Sequence, residues 1–103
     1  MSREMDALVA EKVMGWTMSE RLGYGLPIAS SVPPVKCPEY TSDVADDYRV
    51  LQHVRENWEF AARFRMGQML WAMWDLRGHT ELAYEPGDFS LAALAALGVK
   101  EPA

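Results

Sequence analysis

The stretch from residue 58 to residue 76 constrains the fold of this chain more than any other, because its hydrophobic pattern changes halfway along it. Over residues 58–65 one set of side chains alternates with another: Trp58, Phe60, Ala62 and Phe64 against Glu59, Ala61, Arg63 and Arg65. A period of two is typical of a strand that buries one face. The run 68–74 then follows, and neither of its sides is polar. Such a run is typical of a central strand that is covered on both faces.

These patterns predict an antiparallel sheet of three strands. The strands are, in order, residues 58–65, 69–74 and 80–85, with a turn at residues 77–79. Two registers of the first hairpin are open. A three-residue loop would place Phe60 and Phe64 on the same face as Trp74, whereas a two-residue loop would place them on the opposite face. We prefer the first register because it gathers the aromatic side chains on one face.

Three helices are predicted to accompany this sheet, because apolar residues recur at helical spacing between residues that cap helix ends. They span about Arg3–Met14, Thr41–Glu56 and Asp88–Leu97. Ser2 is the expected N-cap of the first helix, and Gly15 is its expected left-handed C-terminal residue. The expected apolar stripes are Met5, Leu8, Val9 and Val13 in the first helix and Val44, Tyr48, Leu51 and Val54 in the second.

Residues 17–40 are predicted to form a long irregular connection, because their prolines and glycines break both periodicities. Two interpretations of this connection are open: a flexible tether, or a loop that packs or binds. The predicted fold class is therefore α+β, with a three-stranded antiparallel sheet and helices packed on it as an α-β-α layered sandwich. We expect a single domain that comprises residues 1–103.

Charge and composition exclude several kinds of partner. The 103 residues carry a net charge of −5, and the ten Lys and Arg residues are scattered. Because an acidic chain without a basic face repels phosphate backbones, duplex nucleic acid is not an expected partner. No stretch approaches the roughly 18 apolar residues of a membrane helix, so no membrane is expected either. With one cysteine, Cys37, and no apolar leader, the chain is predicted to be cytoplasmic.

The second face of the predicted sheet supplies the candidate site. The residues assigned to it, together with nearby groups that could hold an anion or stack on a base, are Met69, Trp71, Met73, Arg63, Arg65, Arg77 and Tyr84. Methionine and tryptophan adapt to varied partners, and arginine beside an aromatic ring can pair with an anion. The alternative is that the N-terminal helix or the long connection covers this face as ordinary core.

No residue pattern points to catalysis. His53 and His79 are the only histidines, and neither belongs to a Ser-His-Asp or Cys-His arrangement that local pattern supports. No glycine-rich phosphate-binding motif is present. Asp43, Asp46 and Asp47 are interpreted as capping and dipole partners of a helix start, not as metal ligands. We therefore predict a non-enzymatic protein without a metal or a cofactor.

Three segments, taken in order, carry a resemblance to a known family. They are residues 5–16 (MDALVAEKVMGW), residues 38–43 (PEYTSD) and residues 89–98 (FSLAALAALG). Together they resemble the small phage and prophage proteins described as the phage ABA-sandwich domain family. The resemblance implies an α-β-α layered fold and a phage-related origin, and it carries no catalytic residues. The long connection and the Met- and Trp-rich sheet depart from the family pattern.

Three functional hypotheses follow. The preferred one is a phage accessory protein that inhibits a bacterial host defence component by direct protein contact, because an adaptable Met/Trp patch suits docking. The second is a sponge for a small (cyclic) nucleotide defence signal, with an aromatic ring stacking on the base and an arginine holding the phosphate. The third is an accessory protein that only self-assembles. We also expect a two-fold homodimer through Trp71 and helix 88–97, in the cytoplasm of an infected or lysogenic bacterial host.

Overall fold

A computed structural model of the chain describes residues 3–16, 18–19, 28–29, 35–78 and 81–99. The α-helices in these ranges are α1 (Arg3–Leu8), α2 (Val44–Asn57), α3 (Phe60–Leu76) and α4 (Asp88–Ala96). A π-helical turn, Val9–Val13, continues α1, and a 3₁₀ turn, Glu81–Ala83, precedes α4. Three two-residue strands pair antiparallel in the order β1 (Met18–Ser19), β2 (Ile28–Ala29), β3 (Val35–Lys36). The body of the protein is therefore helical.

The predicted α+β fold and its three-stranded sheet are wrong. One continuous helix, α3, occupies most of the first predicted strand, the hairpin loop and the central strand 69–74. The third predicted strand, 80–85, contains the 3₁₀ turn instead. The α-β-α sandwich that the resemblance implied requires this sheet, so it is wrong as well. The physical reason lies in composition, since residues 58–78 contain no Val, Ile or Thr and are rich in the helix formers Ala, Leu, Met and Arg.

The run 68–74 lacks a polar side because α3, which contains it, has two apolar faces. One face carries Met66 and Trp74, which are buried, and Leu70 and Met73, which pack against the core. The other face points away from the helical body and carries exposed aromatic rings. A short apolar run cannot distinguish a buried strand from such a helix. None of the helices in the described ranges is long and apolar enough to cross a membrane.

The core forms around α4, the most enclosed of the described helices. This helix packs against α3, α2 and the π-helical turn. Its small residues Ala92 and Ala93 are fully buried, and they allow the neighbouring elements to approach closely. The buried apolar residues are Met5, Val9, Ala10, Val13, Cys37, Tyr40, Val50, Val54, Met66, Ala92, Ala93, Leu94 and Ala96.

The helix boundaries predicted from local signals are confirmed. The described part of the N-terminal helix starts at Arg3, and Gly15 adopts the expected left-handed conformation with φ of 77°. The amide of Trp16 donates to the Ala10 carbonyl at 2.8 Å and so closes this end. The carboxylate of Asp43 caps α2 by accepting from the Asp46 amide. The expected N-cap Ser2 lies outside the described residues.

The buried face of α2 differs from the predicted stripe. Val44 and Tyr48 are 56% and 46% exposed, whereas Asp47 is fully buried beside Val50 and Val54. Asp47 points into the protein because its carboxylate accepts hydrogen bonds from the start of α4. Its Oδ1 accepts from the Ser90 amide at 2.8 Å and from the Ser90 hydroxyl at 2.6 Å. A buried carboxylate with several donors is stable in this position.

A second buried carboxylate, Asp88, fixes the C-terminal end of α3 against the start of α4. Its Oδ2 accepts from the Trp74 indole at 3.0 Å and from the Glu85 amide at 2.8 Å. The Arg77 guanidinium donates to both Asp88 oxygens, at 2.7 and 3.0 Å. Burial alone would raise the pKa of Asp88, but the hydrogen bonds from Arg77, Glu85 and Trp74 lower this pKa below its ordinary value of 3.8.

We expect the Asp88 contacts to make stability fall in acid. Because the pKa of Asp88 is lower in the folded than in the unfolded chain, its contribution is complete above 3.8 and is lost as the pH falls through the folded pKa. Urea unfolding should therefore show a large stability difference between the wild type and Asp88→Asn at neutral pH. This difference should be smaller at an acidic pH well below 3.8, where Asp88 becomes protonated in the folded chain. An equal difference at both pH values would contradict the assignment.

Candidate protein-docking face

The outward face of α3 presents a line of aromatic side chains. Phe60, Phe64, Gly67 and Trp71 recur at helical spacing, so they fall on one side of the helix. Phe60 is 73%, Phe64 58% and Trp71 54% exposed. The rings of Phe60 and Phe64 stack with centroids 6.2 Å apart and an interplanar angle of 24°. The described residues therefore leave this aromatic line open.

Gly67 makes a notch in this line. A Cβ placed on Gly67 would meet nothing within 4 Å. An open groove of about 570 Å³ runs along the helix here, and its lining residues are Phe60, Arg63, Phe64, Gly67, Gln68 and Trp71. We call these six residues the aromatic face. Since no carboxylate lines the groove, Arg63 is its one charged group among the described residues.

The exposed apolar area is large for a chain of this size. An aromatic side chain removes roughly 150–250 Å² from water when it is buried, so the exposed fractions of Phe60, Phe64 and Trp71 correspond to roughly 400 Å². This area is comparable to the largest apolar patch on a typical monomeric protein, and such a patch is often functional. The area and the linear shape together make the aromatic face the best candidate functional site among the described residues.

Two of the predicted site residues, Arg63 and Trp71, lie on the aromatic face. Met73 does not, because it packs against the core. Met69, 39% exposed, and the exposed Arg65 lie on α3 but do not line the groove. The structure thus brings together only some of the predicted set.

The grouping of the aromatic rings differs from the prediction. We expected Phe60 and Phe64 to share a buried face with Trp74, opposite Trp71. Trp74 is indeed buried, but Phe60 and Phe64 lie exposed beside Trp71. The spacing of residues 60, 64, 67 and 71 contained this information, since it places them on one helix face.

The other two predicted site residues, Arg77 and Tyr84, are engaged in the buried network. Arg77 holds the Asp88 carboxylate and also donates to the Ala83 carbonyl at 2.9 Å. The Tyr84 hydroxyl donates to Asp47 Oδ2 at 2.7 Å. Burial, together with this bond to Asp47, raises the pKa of the Tyr84 hydroxyl. Neither residue lines the groove that holds Trp71.

A second cleft, of about 480 Å³, contains the single cysteine. It lies where the π-helical turn meets the start of α2, and its lining residues are Met14, Trp16, Cys37, Pro38, Glu39, Tyr40, Asp46 and Arg49. Burial, with the nearby Asp6 and Asp46 carboxylates, raises the pKa of the Cys37 thiol to about 11. The thiol is therefore protonated at neutral pH and is a poor nucleophile. Within the described ranges no cluster of three His, Cys, Asp or Glu residues could hold a metal ion.

Comparisons with known proteins found no match to this chain. No protein-family model matches it, and no curated protein or solved structure is significantly similar to it. The geometry of the aromatic face is therefore the basis for a functional proposal.

Proposed function

We propose that this chain is a non-enzymatic protein-binding domain that docks a helix of a protein partner on the aromatic face. The observation that carries the proposal is the line of Phe60, Phe64 and Trp71, each more than half exposed, on one side of a single helix. Amphipathic helices that bind a partner present apolar anchors at this spacing along one side. Large aromatic side chains are also the residues that contribute most to binding energy at protein interfaces.

The dimensions of the face suit a short helix. At a rise of about 1.5 Å per residue, the line from residue 60 to residue 71 is roughly 16 Å long, or about three helical turns. Gly67, near its middle, allows a partner side chain or backbone to approach α3 closely. A partner helix with apolar residues on one side would cover all three aromatic rings at once.

On the resemblance to phage proteins, a component of a bacterial defence system is one candidate partner, and that identity stays a prediction. The nucleotide hypothesis has less geometric support. Trp71 and Arg63 share the groove, but the other groups assigned to phosphate or base do not lie with them. Arg77 and Tyr84 are bound to Asp88 and Asp47.

Site-specific photocrosslinking tests the proposal. With p-benzoylphenylalanine in place of Gln68, which lines the groove, protein adducts are expected in bacterial cells that produce the chain. The same probe at Gln52, an exposed position on α2, is the matched control and should give few adducts. Combining the Gln68 probe with Phe64→Ala and Trp71→Ala should lower the adduct yield about tenfold or more, because both anchors are lost. Equal yields at positions 68 and 52, or no adduct with any protein, would exclude docking at this face.

A further inference from the structure

We propose that the helix docked on the aromatic face is α3 of a second copy of the chain, paired antiparallel about a two-fold axis. This inference rests on the proposed function, since it names the partner of the same face. It predicts a symmetric dimer in which the aromatic face of each copy covers that of the other. Three features support it: the order of side-chain sizes along α3, the exposed area and the position of the one charged group.

The order of side-chain sizes favours an antiparallel pair. Along α3 the face presents Phe60, Phe64, Gly67 and Trp71 in turn. In a parallel pair each residue would meet its own copy, so Gly67 would lie opposite Gly67 and leave a gap between layers of large rings. In an antiparallel pair centred between residues 65 and 66, Phe64 lies opposite Gly67 of the second copy, and Phe60 lies opposite Trp71. The Phe64 ring of each copy then fills the notch at Gly67 of the other copy, as close packing requires.

The area is sufficient for a weak, specific dimer. The aromatic rings of the two copies together expose roughly 800 Å², taking roughly 150–250 Å² for each fully buried aromatic side chain. Stable interfaces bury about 1,200–2,000 Å² in total. The flanking side chains of Arg63, Gln68 and Ala61 contribute the remainder when two helices pack at a distance of about 8–10 Å. An interface at the low end of this range is typical of a weak or transient association.

The charges are compatible with this pairing despite the net charge of −5. In an antiparallel two-fold pair each flank of α3 meets the same flank of the second copy, so the two Arg63 side chains share one side of the interface. The two Arg63 side chains are then about five residues, or roughly 7.5 Å, apart along the axis. Direct opposition of like charges is thereby avoided at the centre of the interface.

The other surface that we predicted for self-association, helix α4, is largely buried within the chain. Helix α4 was expected to meet its own copy through its alanines. Ala92 and Ala93 are fully buried inside the chain, against the other helices. We therefore place the proposed self-association on α3.

Sedimentation equilibrium over micromolar concentrations provides the first test. The wild type should show a reversible monomer–dimer equilibrium, and Phe64→Ala should raise its dissociation constant at least about tenfold. Gly67→Leu should do the same, although it adds apolar surface and meets nothing within the monomer, because it fills the notch. Leu76→Ala is the control, since Leu76 is 89% exposed on α3 and lies off the aromatic face, and it should leave the equilibrium unchanged. Tighter association of Gly67→Leu would show non-specific adhesion and overturn the pairing.

Disulfide trapping in a Cys37→Ala background tests the orientation. Ala61 and Gln68 are both exposed on the same flank of α3. When Ala61→Cys and Gln68→Cys chains are mixed, the antiparallel pair predicts that crosslinks between the two variants dominate. In a parallel pair, residues 61 and 68 of the two copies lie about seven residues, or roughly 10.5 Å, apart along the axis. Crosslinks between the two variants would then not dominate, and that result would refute the proposal.

The two proposals fail in distinguishable ways. If the wild type is a monomer at every concentration while the probe at Gln68 still captures other proteins, the second copy is not the partner, but docking at the aromatic face stands. If the probe captures nothing at all, docking itself fails. A dimer that survives Phe64→Ala would place the interface elsewhere and also overturn the inference.

Discussion

Gly87→Ala is expected to lose at least about 2–3 kcal/mol of the free energy of unfolding, more than any other glycine substitution in the described ranges. Gly87 adopts φ of 98°, a conformation that side chains with a Cβ strongly disfavour. A Cβ there would also lie 2.5 Å from the Thr41 carbonyl oxygen and 3.1 Å from the Thr41 carbonyl carbon. These are backbone atoms, so no side-chain rotation relieves the overlap. Urea unfolding monitored by circular dichroism measures the loss.

Thr41 cannot easily move away from a new side chain. Its amide donates to Asp6 Oδ1 at 2.8 Å, and its hydroxyl donates to the same oxygen at 2.6 Å. Thr41 and Asp6 are both buried, and they join the segment before α2 to helix α1. A shift of Thr41 would break these bonds and leave a buried carboxylate with fewer donors, which is costly. The hydrogen bonds from Thr41 to Asp6 of α1 therefore hold Thr41 in close contact with Gly87.

Two other glycines separate the effect of conformation from the effect of contact. Gly78 and Gly98 have φ of 80° and 74°, but a Cβ at either would meet nothing within 4 Å. Gly78→Ala and Gly98→Ala should cost about 1–2 kcal/mol each, the penalty for a left-handed residue with a Cβ. If Gly87→Ala costs no more than these two, the close approach of Thr41 has no energetic consequence.

The elements that the sequence predicts correctly are those with local signals. The carboxylate of Asp43 and the left-handed Gly15 and Gly98 mark helix ends through contacts within a few residues. Such signals do not depend on the rest of the chain. The end of the N-terminal helix, the start of α2 and the end of α4 could therefore be predicted from the residues next to them.

The error in residues 58–76 came from giving periodicity more weight than composition. Trp58 precedes α3, so its alternation with Phe60 was accidental. The apolar run suited a central strand and a two-faced helix equally well. Composition could have decided between them, because β-branched residues are absent and helix formers dominate. A length of 17 residues without proline also favours a helix.

The candidate site was predictable only in some of its residues. Trp71 and Arg63 were selected because methionine, tryptophan and arginine suit binding, and they do line the groove. Which apolar face of α3 stays open depends on the distant alanines of α4, which cover the side that carries Met66. No spacing within α3 contains that information, because it arises from contacts far apart in the sequence.

The role of Asp47 could likewise not be predicted from the sequence. It follows Asp43 and Asp46 at the start of a helix, where acidic residues are common. Only the three-dimensional structure brings it to Tyr84 and Ser90, 37 and 43 residues further along the chain. A residue that local pattern assigned to the cap and dipole of a helix start is thus one of the most enclosed polar groups described.

Asp47→Ala is expected to lose about 3–5 kcal/mol of the free energy of unfolding, because it removes the acceptor of a buried network. The donors left behind are the Tyr84 hydroxyl, the Phe89 and Ser90 amides and the Ser90 hydroxyl. The Ser90 hydroxyl retains the Tyr40 carbonyl, 3.0 Å away, as an acceptor, whereas the Ser90 amide at the start of α4 loses the one acceptor found for it in the described residues. Urea unfolding at neutral pH, compared with the wild type, measures this loss.

Two variants show whether the network or merely the helix cap is responsible. Asp43→Ala removes the N-cap of α2 and should cost only about 1 kcal/mol, since its bond to Asp46 is exposed. Tyr84→Phe removes one donor and leaves Asp47 its other three, so it should cost about 1 kcal/mol. If Asp47→Ala is no worse than Asp43→Ala, then Asp47 only caps its own helix. A far larger loss for Asp47→Ala would mean that this carboxylate holds α4 against α2, and through α4 positions the helix that bears the aromatic face.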